Sequence, residues 1–445
     1  MPRTTAWNVL RYGGTAPLRA VDRFAYDAGL EDRDRALVRR MVGTEVRHRG
    51  SLQAIVNHFA RGKPSSDIRT HLRLGVVQLL YMDQIPPHAA VSETVRAATN
   101  GEGLSRGRYV NGVLREIQRH ARHGHVGSPR QDIVGRPWFI DFPIFRDPAE
   151  HPFLWAEDAL SMPSALVKRW AKRHGESRAF ALAELAQDEA RVGLRVASGE
   201  RDAICAELLE VEIEVSLGAA ENMLSGSSAD IGGITASAAF QEGRITVQGD
   251  TAAAAVELLA PQAGERVLEL CAAPGGKTAA IAQSGAKLLA LDLNAYRLAM
   301  APAGLARIAP DSQVMLAAMD GTQGLAEGAL FDAAFVDAPC SNTGVLAQRP
   351  GARWRFGPKT LRELCELQAR LLEEAAERIR PGGRLVYSTC SIEPEENGQQ
   401  IKKFLAAHPE WSAGTSHERL PLPDPAQPDC PASVDGGFAA LLHRS

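Results

Sequence analysis

The chain has 445 residues, 45% of them hydrophobic and 23% charged, with a net charge of −3 at neutral pH. That is enough apolar material for about three packed domains, and the charge is too balanced for a disordered or uniformly basic chain. No apolar run reaches the roughly 18 residues that cross a bilayer, and the opening residues lack the apolar core of a signal peptide, so a cytoplasmic protein is expected.

In chain order, residues 1–125 read as helices. Ala36–Arg47, Leu52–Phe59, Leu72–Leu80 and Ala89–Ala98 repeat apolar residues at steps of three and four, separated by short Gly/Pro breaks. With no strand pattern nearby, a helical bundle is expected. Residues 1–130 carry 21 Lys+Arg against 11 Asp+Glu, a net of +10 in a chain whose whole is −3. Such asymmetry fits a nucleic-acid-binding face, and it fits an Arg-rich solvated surface about as well. The run LRLGVVQLLYMDQIPPHAAVSETVRAA, followed by YVNGVLREI, resembles the RNA-binding helical domain of the NusB family. Arg73, Pro87, His88, Ala90, Val91, Glu93, Asn111 and Arg115 carry the resemblance.

Residues 126–161 read as a linker. Gly124–Arg136 is polar, and Pro137–Trp155 contains four prolines among many aromatics, which argues against a helix and for packing over base stacking. Residues 162–245 suggest a small α/β unit, with helices over Pro163–His174 and Asp202–Leu209 and strands over Arg191–Val196 and Val211–Val215. From about 246 to 445 strand and helix alternate. Strands are expected at Arg266–Leu270, Lys287–Leu291, Gln313–Leu316, Phe331–Val336 and Arg384–Tyr387, with helices at Ala295–Arg307 and Thr360–Ile379. This is the pattern of a parallel, Rossmann-like sheet wrapped by helices, whose ligands bind at the carboxyl ends of the strands.

The chemistry-bearing motifs fall at those ends. Arg266–Thr278 (RVLELCAAPGGKT) is a buried strand, a turn and a helix start. It lacks the glycine that a phosphate loop needs at Cys271 and the spacing of a dinucleotide fingerprint. Asp292 closes the next strand, near the position from which an acid takes ribose hydroxyls. An adenosyl ligand without a pyrophosphate fits this pattern, S-adenosylmethionine being the common one; an ordinary βα turn is the alternative. Six cysteines, at 205, 271, 340, 365, 390 and 430, are too dispersed for a disulfide framework or a zinc site, so free thiols and no metal are expected. Cys205 and Cys365 read as packing residues. Cys340 in DAPCSNTG and Cys390 in STCS stand instead among turn residues just past strand ends. Methylation of a pyrimidine at carbon 5 needs a thiolate to activate the ring, which oxygen or nitrogen methylation does not.

CAAPGGKT, DAPCSNTG and STCS together resemble the RNA (cytosine-5) methyltransferases of the NOL1/NOP2/Sun family, over about residues 248–411. The resemblance implies a Rossmann-like methyltransferase domain behind a NusB-like domain and a small RNA-recognition-like subdomain, with S-adenosyl-L-methionine as cofactor. It implies Cys390 as nucleophile, Cys340 as the thiol serving proton removal and release, and Asp337 as a partner of the target cytosine and a border of the cofactor. Cys271, Ala272, Ala273, Pro274, Gly275, Gly276 and Lys277 would cradle the methionine part, Asp292 the ribose, and Asp320 the adenine; Lys277 could instead face the base. With a NusB-like front, the resemblance narrows to the RsmB/Sun type of bacterial 16S ribosomal RNA methyltransferases, acting on RNA and not on DNA or a membrane. A transfer-RNA substrate, or a non-catalytic assembly factor with the same body, are the alternatives. The sequence departs from the family at Asn342, where glycine is usual, at VQGDT (247–251), in SMPSALVKRW, at Ala197-Ser198 and in the final strand, DGGFAALLHRS.

Overall fold

The computed structural model describes residues 1–197, 199–323, 330–423 and 433–445. Ser198 and Cys430 lie outside the described residues. The chain divides into two compact units, residues 1–188 with 349–355, and residues 189–348 with 356–445.

The first unit opens with six helices, Pro2–Tyr12, Pro17–Asp27, Asp32–Phe59, Ser66–Leu80, Pro87–Glu102 and Leu104–His120. Their apolar stripes meet in one core that includes Val42, Leu52, Ile55, Leu72, Val76, Val91 and Leu114. The two helices expected over 36–47 and 52–59 are one, kinked at His48 (φ −106°, ψ 19°). Gly50 suggested a break, but here it serves close approach, because a Cβ there would lie 2.1 Å from the Glu157 carbonyl oxygen. His48 is buried against the Tyr81 ring, 4.5 Å between centroids. Burial first, and then the Arg47, Arg353 and Arg136 charges, push its imidazole down to about 3.

Residues 126–161, read as a linker whose prolines argue against a helix, hold the strand β2 (Trp138–Ile140) and a helix over Pro152–Ala159; β2 pairs antiparallel with β1 (Ala121–His123), a strand at the end of the region read as helical. The prolines misled because Pro152 sits in the first helical turn, where a missing N–H costs nothing. Ile140 and Phe145 are buried, as packing requires. Two fully buried charges of this unit are partnered. Glu45, fully buried, accepts from Arg73 at 2.7 Å and Arg49 at 2.8 Å. Arg353, also fully buried, donates to the carbonyls of Ala186 at 2.7 Å and Pro350 at 3.1 Å.

The second unit holds two sheets. The smaller is antiparallel, in the order β4 (Val215–Leu217), β5 (Met223–Ser227), β3 (Arg191–Val196), β6 (Ile245–Val247). The strand expected over Val211–Val215 begins at Val215 instead. The helix Arg201–Glu210 runs directly into a turn there, so the apolar alternation starts too early. The larger sheet has seven strands, in the order β12 (Trp411–Arg419), β13 (Gly437–Arg444), β11 (Ile379–Thr389), β10 (Phe331–Asp337), β7 (Arg266–Leu270), β8 (Lys287–Asp292), β9 (Gln313–Ala318). From β11 to β9 every pairing is parallel; β13 joins β11 antiparallel and β12 joins β13 antiparallel. The helix expected over 295–307 is two, Ala295–Leu298 and Ala301–Ile308, because Pro302 supplies the first turn of the second and cannot continue the first.

Chain order reverses beside β7: β8 and β9 extend the sheet on one side, β10 and β11 on the other. Such a switch point opens a crevice at the carboxyl ends of β7 and β10. Among the described residues no helix is long and apolar enough to cross a membrane, and no group of three His, Cys, Asp or Glu side chains could hold a metal ion.

Candidate active site and cofactor cradle

Register brings the motifs to one rim. Val336 of β10 pairs with Leu270 of β7 on one side and Tyr387 of β11 on the other, and Asp337 pairs with Ser388. Cys271, Asp337 and Cys390 therefore leave three adjacent strands at the same level. The loop after Asp337 returns Cys340 to Cys390, and their sulfurs stand 3.1 Å apart. Fifty positions of sequence separate them.

The turn between them is shaped by two residues. Asn342 takes the left-handed conformation (φ 61°), which asparagine tolerates better than most side chains. Its amide nitrogen donates to the Cys340 carbonyl at 2.6 Å, and its Oδ1 accepts from the Cys390 thiol at 3.3 Å. The usual glycine would offer neither bond. At Gly344 a Cβ would lie 2.3 Å from the Gly436 carbonyl oxygen and 3.0 Å from that of Cys390, so the backbone closes there only without a side chain.

The two thiols have different surroundings. Cys340 is raised well above the usual thiol range by its hydrogen bond to Cys390, then by burial, by the Cys390 charge and by Glu396. Cys390 has a cation for a neighbour. Lys277 donates to Asp337 Oδ2 at 2.7 Å. Burial works against its ammonium, yet Asp337 and then Cys390 hold it above its ordinary value. A nearby ammonium favours a thiolate at Cys390.

Beside this pair lies the cradle. Residues 271–275 turn from β7 into the helix Gly276–Ala282, with the Ala273–Pro274 peptide cis. Asp292 holds the turn from the end of β8: its Oδ2 accepts the Ala273 N–H at 2.9 Å and its Oδ1 the Asn294 N–H at 2.8 Å. Arg297 donates to the Ala273 carbonyl at 2.7 Å. Asp320, past the end of β9, accepts from the Thr322 N–H at 2.9 Å and hydroxyl at 2.8 Å, and those bonds hold its carboxyl below the usual range. Burial, then Asp337, Asp292, Glu269 and Asp320, push the Cys271 thiol up to about 12.

Glu269 was not foreseen. It stands in β7 with no exposed surface, and among the described residues neither carboxylate oxygen has a hydrogen-bond partner. Burial pushes its carboxyl up to about 8, against the pull of the nearby Thr278 hydroxyl, itself unbonded. A buried acid in such a place suits a cationic ligand, and the S-adenosyl group carries a sulfonium and an ammonium. The only sequence signal was an acid inside an apolar strand. Of the residues expected to hold the cofactor, 271–277, Asp292 and Asp320 lie at or just past the ends of β7, β8 and β9, and Asp337 ends β10, where Cys340 and Cys390 gather.

A sequence model described as 16S rRNA methyltransferase RsmB/F matches residues 256–425, and one for the NusB family matches residues 16–119. Ribosomal RNA small subunit methyltransferase B of Klebsiella pneumoniae (strain 342) is 31% identical over 429 residues, 93% of this chain and 91% of that protein. The protein of the same name from Vibrio cholerae serotype O1 is 30% identical over the same shares. Among solved structures, PH0851 superposes with a TM-score of 0.73 at 23% identity, covering 100% of this chain and 99% of its own. NSun6 from Pyrococcus horikoshii follows at 0.53 and 18%, covering 63% of this chain and 98% of its own. These two similarities speak for the fold.

Proposed function

Because the chain belongs to the 16S rRNA methyltransferase RsmB/F family, with a NusB-family region at its front, we propose that it methylates carbon 5 of one cytosine of 16S ribosomal RNA through a covalent adduct in which Cys390 attacks and Cys340 serves release. It is an S-adenosylmethionine-dependent 16S rRNA cytosine methyltransferase. The finer assignment rests on one observation above the others, two thiols 3.1 Å apart at the ends of adjacent strands.

Carbon 5 of cytosine is a poor nucleophile. A Cys390 thiolate adding to carbon 6 turns the ring into an enamine whose carbon 5 can attack an electrophilic methyl. The cofactor, when bound, supplies that methyl on a sulfonium. Asp337 and Lys277 border the ring, holding its amino edge and countering the charge that develops on it. The carbon-5 proton then passes to Cys340, acting as a thiolate base. Its electron pair re-forms the ring double bond as the Cys390 thiolate departs. Glu269 and the Ala272–Lys277 turn hold the methionine end of the cofactor, Asp292 the ribose and Asp320 the adenine. The basic helical region, residues 1–125, holds RNA phosphates.

Cysteine replacement tests the assignment. Cys390→Ala forms no adduct and no 5-methylcytosine. Cys340→Ala attacks and methylates, then stalls, appearing on a denaturing gel as protein shifted by bound RNA only when both RNA and S-adenosylmethionine are present. Exchanged behaviour of the two variants reverses the roles.

A further inference from the structure

Given Cys390 for attack and Cys340 for release, we propose that Glu396 is a positioning residue: its buried carboxylate fastens the turn bearing Cys340 to the turn bearing Cys390, and so sets the sulfur–sulfur distance that release requires. Glu396 has no exposed surface. Its Oε1 accepts the Ser341 N–H at 2.8 Å and the Gln368 amide at 3.0 Å, and its Oε2 accepts the hydroxyls of Ser341 and Ser391. Ser341 follows Cys340 and Ser391 follows Cys390, so one carboxylate grips the residue next to each sulfur. The same Gln368 amide donates to the Pro339 carbonyl at 2.9 Å, which gathers the residue before Cys340 into the clamp.

The two turns depend on it unequally. The Cys390 turn has anchors of its own: the Thr389 hydroxyl donates to Asn397 Oδ1 at 2.6 Å, and Asn397 Nδ2 donates to the Ser391 carbonyl at 2.8 Å. The ends of the Cys340 turn are also tied across, Ala338 N–H to the Ser388 carbonyl at 2.9 Å, Gly344 N–H to the Cys390 carbonyl at 3.1 Å and Ile392 N–H to the Thr343 hydroxyl at 3.1 Å, which leaves the stretch around Ser341 to the clamp. On the Cys340 side, the Ser341 N–H has Glu396 as its acceptor. Loss of the clamp therefore displaces Cys340 more than Cys390 and slows release more than attack. A small misplacement suffices, since proton transfer requires contact distance.

All four donors could be held by a carboxamide as well, because the two serine hydroxyls can turn to accept from an amide nitrogen. Geometry and charge are thereby separable. In full-length protein with 16S RNA and S-adenosylmethionine, Glu396→Ala lowers turnover on the order of 10- to 100-fold and accumulates the protein–RNA adduct. Cofactor affinity, measured by calorimetry without RNA, stays near wild type. Glu396→Gln recovers turnover to within about threefold. Should Glu396→Ala fail to fold, the double variant Ser341→Ala with Ser391→Ala removes the two hydroxyl arms and gives the same adduct. Wild-type turnover in the variant that folds overturns the proposal. So does lost turnover without adduct, provided that Cys340→Ala, run alongside, does accumulate it. No adduct from Cys340→Ala itself overturns the thiol assignment beneath the proposal.

Discussion

Two fully buried glutamates, one in each unit, show opposite ways of keeping an acid out of water. Glu45 in the helical unit is met by two arginines at hydrogen-bond distance, and although burial works to raise its carboxyl, they bring it below its ordinary value. Glu269 in the catalytic unit has no arginine against it and only the Thr278 hydroxyl nearby, and burial carries it up to about 8. The first arrangement is complete in the free protein. The second is held neutral by burial instead, so one glutamate is kept out of water by pairing its charge and the other by giving it up.

The largest way to break the comparison is at Glu45. Glu45→Ala leaves Arg73 and Arg49 facing a buried gap, and the helical unit should lose about 3–5 kcal/mol, read as a lowered denaturant midpoint. No loss would mean that its ion pairs contribute nothing.

Acidity should move the two units in opposite directions. Folded His48 stays neutral down to about 3, against about 6.5 unfolded, so in that window the unfolded chain binds the extra proton. The helical unit thus keeps this stability above 6.5 and loses it as pH falls, about 2 kcal/mol between pH 7 and 5 at about 1.4 kcal/mol per unit. Glu269 is raised when folded, so its contribution is whole below the ordinary carboxylate value and is lost as pH rises to about 8. Hydrogen exchange followed separately in the Ser66–Leu80 helix and in β7 should show opposite slopes in cofactor-free protein.

Glu269→Gln sharpens the contrast from the ligand side. The variant should bind S-adenosylmethionine about 1–2 kcal/mol less tightly while its β7 loses the pH slope, because the acid carries charge only once a cation arrives. Wild-type binding should release a proton near neutral pH, visible as a dependence of calorimetric heat on buffer. Equal affinity in the variant would remove Glu269 from the cofactor site. The smallest effect is a control: Asp22→Ala breaks only an exposed pair with Arg39 and should change stability by about 0.5 kcal/mol or less.

The parts of the site legible from residues alone were those whose meaning is local. CAAPGGKT, DAPCSNTG and STCS each join an apolar run to turn residues, so their places at strand ends follow from short stretches. Glu396 was not legible, because its role comes from Ser341 and Gln368, which reach it from 55 and 28 positions away. Asn342 read as a departure from family habit, and only its left-handed backbone and its bonds to both cysteine residues account for it. The kink at His48 and the helix at Pro152–Ala159 were missed because Gly and Pro were read as breaks, while contacts or a first-turn position made them tolerable.

Sequence by itself determined the alternation of strands and helices in the catalytic unit, the helical character of the front, and the presence of two thiols suited to pyrimidine chemistry. Tertiary structure decided that Cys340 and Cys390 touch, that Glu396 grips the residue after each, and that Glu269 lies fully buried in β7. Periodicity is written along the chain, whereas a sulfur–sulfur contact or a shifted carboxyl depends on which distant segments share a dry, low-dielectric space, and that is settled only when parallel strands find their register by burying both faces of the sheet.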